Sequence, residues 1–225
     1  MNNFTLVNCD TDSISFCKPD QSSFSNEEVL KLNDELNNLY QGEVEWDLEG
    51  VFQRAIVLKA KNYILYDGKE IKYKGSAVKA TGRELALKEY IKEILNAMLD
   101  GNYDFVSIYN KYVKEIIDLK DIHRWTSKKT ISSKVLAGGR TNELIIKTAI
   151  EGTEYQEGDK AYFFYKADGT LCLAEQFAGD YDKDRLLSKL YKTASGTFET
   201  VIDPKTFVNY SLKRSKEALE VLIKS

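Results

Sequence analysis

Apolar and polar positions change period several times along the chain. Phe4-Thr5-Leu6-Val7 and Ile14-Ser15-Phe16 flank Asn8-Cys9-Asp10-Thr11-Asp12-Ser13, a pattern that predicts two strands meeting at an acidic turn. The turn-forming stretch Lys18-Pro19-Asp20-Gln21-Ser22-Ser23 follows, and then the period becomes helical. Ser25 or Asn26 can cap that helix, Glu27 and Glu28 suit its first turn, and Val29, Leu30, Leu32, Leu36 and Leu39 give it an apolar face up to Gln41-Gly42. From Glu43 to Tyr73 the chain reads as sheet. Val44-Glu45-Trp46-Asp47-Leu48 alternates, and the strand from Asn62 to Tyr66 returns through an Asp67-Gly68 turn.

Beyond Arg83 the pattern is predominantly helical. Leu85, Leu87, Tyr90, Ile91, Ile94, Leu95 and Met98 make one stripe, which Asp100-Gly101-Asn102 ends. Phe105, Ile108, Tyr109, Tyr112, Val113, Ile116 and Ile117 make a second, with its tyrosines expected in the core of the helix pair. A short helix is predicted over Asn142–Ile150. Ala161–Tyr165 reads as a buried strand that Asp168-Gly169 turns into Leu171–Ala174, and helices over Asp182–Tyr191 and Pro204–Ile223 close the chain.

With 225 residues, 43% of them hydrophobic, the chain can bury one large core or two small ones, and the change of period near residue 80 favours two. No apolar run reaches the length of a membrane span and no charged-then-apolar leader opens the sequence, so no membrane partner is expected. Cys9, Cys17 and Cys172 are odd in number and lack metal-ligand spacing, which suits a reducing compartment. A cytoplasmic location is expected, that of the host if the gene is viral.

The net charge of −3 conceals a polarity. Residues 1–58 carry three bases against eleven acids, and residues 59–225 carry 29 bases against 24 acids. An acidic end suits cations and a basic remainder suits phosphates, with random surface variation as the plain alternative.

Two carboxylates two residues apart on a tight turn, Asp10 and Asp12, can hold a hard divalent cation such as Mg²⁺. The same four residues Asp-Thr-Asp-Ser are also ordinary turn chemistry. Downstream come Glu49-Gly50-Val51-Phe52, Ala55-Ile56-Val57-Leu58, Lys59-Ala60-Lys61-Asn62-Tyr63-Ile64-Leu65 and Lys72-Tyr73-Lys74-Gly75. In this order the segments resemble family B DNA polymerases, whose palm carries an Asp-Thr-Asp-Ser hairpin followed by a helix, a strand, a Lys-x-Tyr motif and a Lys-Gly turn before the thumb. The likeness is sharpest over the first third.

The resemblance implies an α+β fold: a partial palm β-sheet with a helix over residues 1–80, then a mostly helical thumb with a small β-hairpin over 81–225. It implies that Asp12 is the principal metal ligand and that Asp10 supports it, in a two-metal Mg²⁺ site. It also implies that Lys59, Lys61, Tyr63 and Lys74 hold the primer strand. Lys128 and Lys129, beside Thr126, Ser127 and Thr130, are further candidates for backbone-phosphate contact, against the alternative of a solvated lysine pair.

Departures are equally informative. Asn8 stands where the family commonly has Tyr, and Ala60 and Asn62 flank Lys61 where an extra basic pair is usual. The family's upstream metal-binding Asp with its Ser-Leu-Tyr-Pro run and the nucleotide-gripping helix have no counterpart, and there is no room for a proofreading exonuclease. The expectation is therefore the carboxy-terminal portion of a family B DNA polymerase, inactive without an amino-terminal polymerase portion and acting with it on primer-template DNA and a deoxynucleoside triphosphate. Met1, three residues before the first aromatic of the strand, favours a natural split over an excised fragment. The alternative is a non-catalytic DNA-binding or polymerase-accessory module with a vestigial acidic hairpin.

Overall fold

The computed structural model describes residues 4–10, 12–40, 44–79, 83–102 and 104–198. The helix expected over Pro204–Ile223, with Lys213, Arg214 and Lys216, lies outside the described residues. The chain divides into two compact units, Met1–Val78 and Lys79–Ser225. It is an α+β fold with small antiparallel sheets.

In the first unit, β1 (Thr5–Asp10) and β2 (Ser13–Cys17) pair antiparallel from Thr5 opposite Cys17 to Asp10 opposite Ser13. A register shift between Leu6 and Asn8 brings Leu6 and Cys9 to the face that also carries Ile14 and Phe16. Phe16 is covered there by Phe4 and Phe24, with ring centroids 5.0 and 6.1 Å away.

Helix α1 (Asn26–Tyr40) starts at a capping box. The Glu28 N–H donates to Ser25 Oγ and the Ser25 N–H donates to Glu28 Oε2, satisfying two backbone donors reciprocally. Val29, Leu32 and Leu36 are half-buried, whereas Leu30 and Leu39 are 65% and 72% exposed, so the apolar face is narrower than the sequence suggests.

The sheet expected over 43–73 is reduced to β3 (Arg54–Lys59), β4 (Asn62–Tyr66) and β5 (Ile71–Lys74), a meander separate from the β1–β2 hairpin. The alternating segment Val44–Leu48 forms no strand. Its central backbone is satisfied by a side chain instead: Asn37 donates to the Trp46 carbonyl and accepts from the Trp46 N–H. Leu58, Tyr63, Ile64 and Leu65 supply buried side chains from β3 and β4. The Asp67-Gly68 turn forms as expected, with Asp67 Oδ1 accepting from the Lys69 and Glu70 N–H groups. A single helical turn, α2 (Ser76–Lys79), follows β5.

The second unit is built on α3 (Leu85–Leu99) and α4 (Phe105–Ile117). Their apolar stripes face each other, and Tyr90, Tyr109 and Tyr112 are buried as expected, Tyr90 meeting the other two edge-on. Asp104 caps α4 by accepting from the Ser107 N–H. Trp125 packs against Tyr112 and donates its indole N–H to Glu115 at 2.9 Å. Arg124 bridges Glu89 and Glu115, pinning the turn at 123–125 to both helices.

A three-stranded sheet follows, in the order β6 (Ser127–Thr130), β7 (Lys160–Tyr165), β8 (Leu171–Leu173), with α5 (Ser133–Ala137) and α6 (Thr141–Ala149) between its first two strands. Ile131, Val135, Ile150, Ala161, Phe163 and Leu173 form a satellite core there. Helix α7 (Lys183–Phe198) returns to pack on α3 and α4, longer than the Asp182–Tyr191 span read from the sequence. No helix among the described residues is long and apolar enough to cross a membrane.

Candidate functional site

The acidic hairpin sets the first part of the site. Asp10 is the last residue of β1 and pairs with Ser13, and Asp12 lies in the turn between the strands with its side chain exposed. Thr11 and the side chain of Asp10 lie outside what is described. A carboxylate on an exposed two-residue connection is open to a cation, and its oxygens are the hard donors that Mg²⁺ prefers. Among the described residues, no three His, Cys, Asp or Glu side chains gather around one point. Cys9 is exposed, Cys17 is half-buried, and neither is in a disulfide.

The second part is the corner where β3 turns into β4 and β5 ends. Lys59 pairs with Asn62 across the turn, and Tyr63 pairs with Lys74. Lys59 and Lys61 are exposed. Lys61 has φ of 60°, a left-handed conformation that places it at the tip of a tight connection. The Asn62 side chain donates to the Ala60 carbonyl at 3.0 Å and so closes that connection on itself.

Tyr63 is 6% exposed, so its ring packs inside the fold and leaves Lys59 and Lys61 as the exposed members of the group. Lys74 is held by Glu49, with Nζ 2.7 Å from the carboxylate. Nothing in the local sequence pattern announces that ion pair, because the partners are 25 residues apart and meet only through the path of residues 44–53. Burial pushes the neighbouring Tyr73 phenol above its usual range.

Lys128 and Lys129 belong to the second unit. They are adjacent on the edge strand β6, so they point to opposite faces of its sheet. Lys128 sits over the Tyr162 ring at 5.7 Å, and Lys129 is opposite Ala161. Both are exposed. They do not make one two-pronged contact.

A buried polar node lies in the same unit. Glu84, 5% exposed, accepts from Ser127 Oγ at 2.9 Å and from the Lys189 ammonium, joining the start of α3 to β6 and α7. Burial alone pushes the Glu84 carboxyl up, but the hydrogen bond and charge of Lys189 outweigh it and hold the group below the ordinary glutamate value.

No protein-family model and no curated protein matches the sequence. The fold, however, is similar to that of the family B DNA polymerase from the hyperthermophilic archaeon Pyrobaculum calidifontis. The TM-score is 0.63 over 88% of this chain, at 16% identity. Its fold is like part of a family B DNA polymerase. The chain spans 27% of the length of that polymerase.

Proposed function

We propose that this chain is the carboxy-terminal portion of a family B DNA polymerase, with residues 1–80 as the last part of the palm and 81–225 as the thumb. The observation that carries the reading is the likeness of fold over 88% of the chain to a polymerase of which it spans 27%. The acidic hairpin adds the chemistry that a bare likeness of fold lacks.

In this reading Asp12, with Asp10 beside it, would hold Mg²⁺ together with ligands from the amino-terminal portion. The bound metal supplies Lewis acidity for a primer hydroxyl and for the pyrophosphate of an incoming deoxynucleoside triphosphate. The exposed ammonium groups of Lys59 and Lys61 hold backbone phosphates of the primer and keep its end in line. Tyr63 supports that corner from inside the fold. Lys74 joins them once its pairing with Glu49 is released. Lys128 and Lys129 each contribute a phosphate contact from a different face of β6.

The chain brings one side of the site, so alone it does not extend a primer. The test is a primer-extension assay with the chain alone and with its amino-terminal portion supplied as a separate polypeptide. The reading expects extension only from the pair. Equal inactivity of the pair, with both chains folded and associated, contradicts it and favours a binding module.

A further inference from the structure

Residues 44–53, between α1 and β3, have no regular structure, yet they are tied down at both ends. Asn37 of α1 clasps Trp46 by two hydrogen bonds, of 3.0 and 2.7 Å. At the far end the Gln53 N–H donates to the Tyr66 carbonyl at 2.8 Å, and the Phe52 ring lies 5.1 Å from the Lys72 ammonium. The segment is a strap with fixed anchorages and an exposed middle. Glu49 is in that middle, and its carboxylate is placed on Lys74 at 2.7 Å.

Lys74 is the last residue of β5, opposite Tyr63 and immediately before Gly75, which packs on the Lys61 turn. The strap therefore delivers an acid to the same corner that presents Lys59 and Lys61. The side chains of Lys74 and Glu49 are 39% and 53% exposed, so a competing anion has access to the pair. An ion pair this exposed is weak and screened by solvent, so a phosphate can displace it.

We propose that Glu49 is an internal stand-in for a nucleic-acid phosphate: it occupies Lys74 in the absence of DNA and is exchanged for a phosphodiester oxygen when a primer-template duplex binds. The inference rests on the reading of this corner as a DNA-holding surface, and it adds a self-masking device to it. Carboxylate and phosphodiester are both singly charged acceptors for the same ammonium, so the exchange keeps Lys74 neutralised throughout. The strap need only let Glu49 swing away, since its anchorages at Trp46 and Gln53 do not involve that residue.

The experiment is equilibrium binding of a fluorescent primer-template duplex to the full chain, followed by anisotropy at two salt concentrations. The proteins compared are the unaltered chain, Glu49→Gln, Lys74→Gln, the double variant, and Asp47→Asn, which makes the same change of charge two residues away. Glu49→Gln is expected to tighten binding by about two- to fivefold, more than Asp47→Asn does. That gain is expected to vanish when Lys74 is also replaced. No gain, an equal gain from Asp47→Asn, or a gain that survives Lys74→Gln overturns the masking role while the DNA-holding surface stands. Absence of salt-sensitive duplex binding by the unaltered chain removes the DNA-holding reading and the masking role together.

Discussion

Gly75 packs so closely on the Lys61 carbonyl that a β-carbon on it would lie 2.1 Å from that oxygen and 2.5 Å from Asn62 Oδ1. Its φ of +96° is a second reason for glycine. The end of β5 is thereby locked against the turn that carries the exposed lysines, which gives the Lys-Gly pair of the sequence a physical role. Gly75→Ala combines left-handed strain with a backbone clash, and its expected cost is about 2–4 kcal/mol. Hydrogen exchange of the β4 and β5 amides reads this directly. Unchanged protection would show that the turn and the strand end are not coupled.

The Glu84 node makes the second unit acid-sensitive. The carboxyl titrates below its ordinary value of 4.5, so its contribution to stability is present above the unfolded value and is lost as pH falls through the lower folded one. Glu84→Ala leaves Lys189 without its buried partner and is expected to cost about 3 kcal/mol at neutral pH. Glu84→Gln is expected to flatten the acid limb of stability below about pH 4.5. Denaturant unfolding of both variants across pH checks the two expectations, and an unaltered acid limb in Glu84→Gln would assign it to other carboxylates.

The satellite core should fail on its own. Ile131 is fully buried among Val135, Ile150, Ala161, Phe163 and Leu173. Ile131→Ala is expected to cost about 2–4 kcal/mol, with exchange protection lost in β6, β7 and β8 and retained in α3 and α4. Loss spread evenly over both groups would mean that they open as one cooperative body.

Much of the fold was legible in the sequence, for local reasons. The hairpin, α1, α3 and α4 announce themselves through period, caps and breakers that act within a few residues. Helix α5 escapes the sequence because five residues are too few to show a helical period, although its ends carry local signals: Ser132 accepts from the Val135 N–H, and Gly138 closes it in a left-handed conformation. Val44–Leu48 alternates like a strand but lies beside α1, where Asn37 satisfies the backbone that a neighbouring strand would have served. Alternation reports which faces differ in polarity, not whether a partner strand is present.

The candidate site divides in the same way. Asp10 and Asp12 stand out in the sequence because they lie two residues apart between two apolar runs. Lys59, Lys61, Tyr63 and Lys74 stand out through the resemblance of their segments, but the burial of Tyr63 and the capture of Lys74 by Glu49 depend on how distant segments pass one another. Sequence spacing does not encode that path. Lys128 and Lys129 look like a pair in the sequence and are separated by the alternation of a strand.

On the proposed function the hairpin brings only part of a ligand set and holds metal weakly. Isothermal titration of the isolated chain with Mg²⁺ is expected to give a dissociation constant of about 1 mM or weaker, and Asp12→Ala is expected to remove what heat there is. Micromolar binding by the isolated chain would mean that its site is complete and needs no second polypeptide.

The most direct measurement of the proposed function is primer extension by the chain assembled with the amino-terminal polymerase portion that this reading calls for, comparing the unaltered protein with Asp12→Ala. Asp12 is exposed in a turn, so the substitution should leave the melting temperature unchanged. Loss of a metal ligand is expected to lower the extension rate by at least about a hundredfold while duplex affinity stays within about twofold. Full extension by the Asp12→Ala assembly would contradict the account, because the acidic hairpin would then have no part in the chemistry.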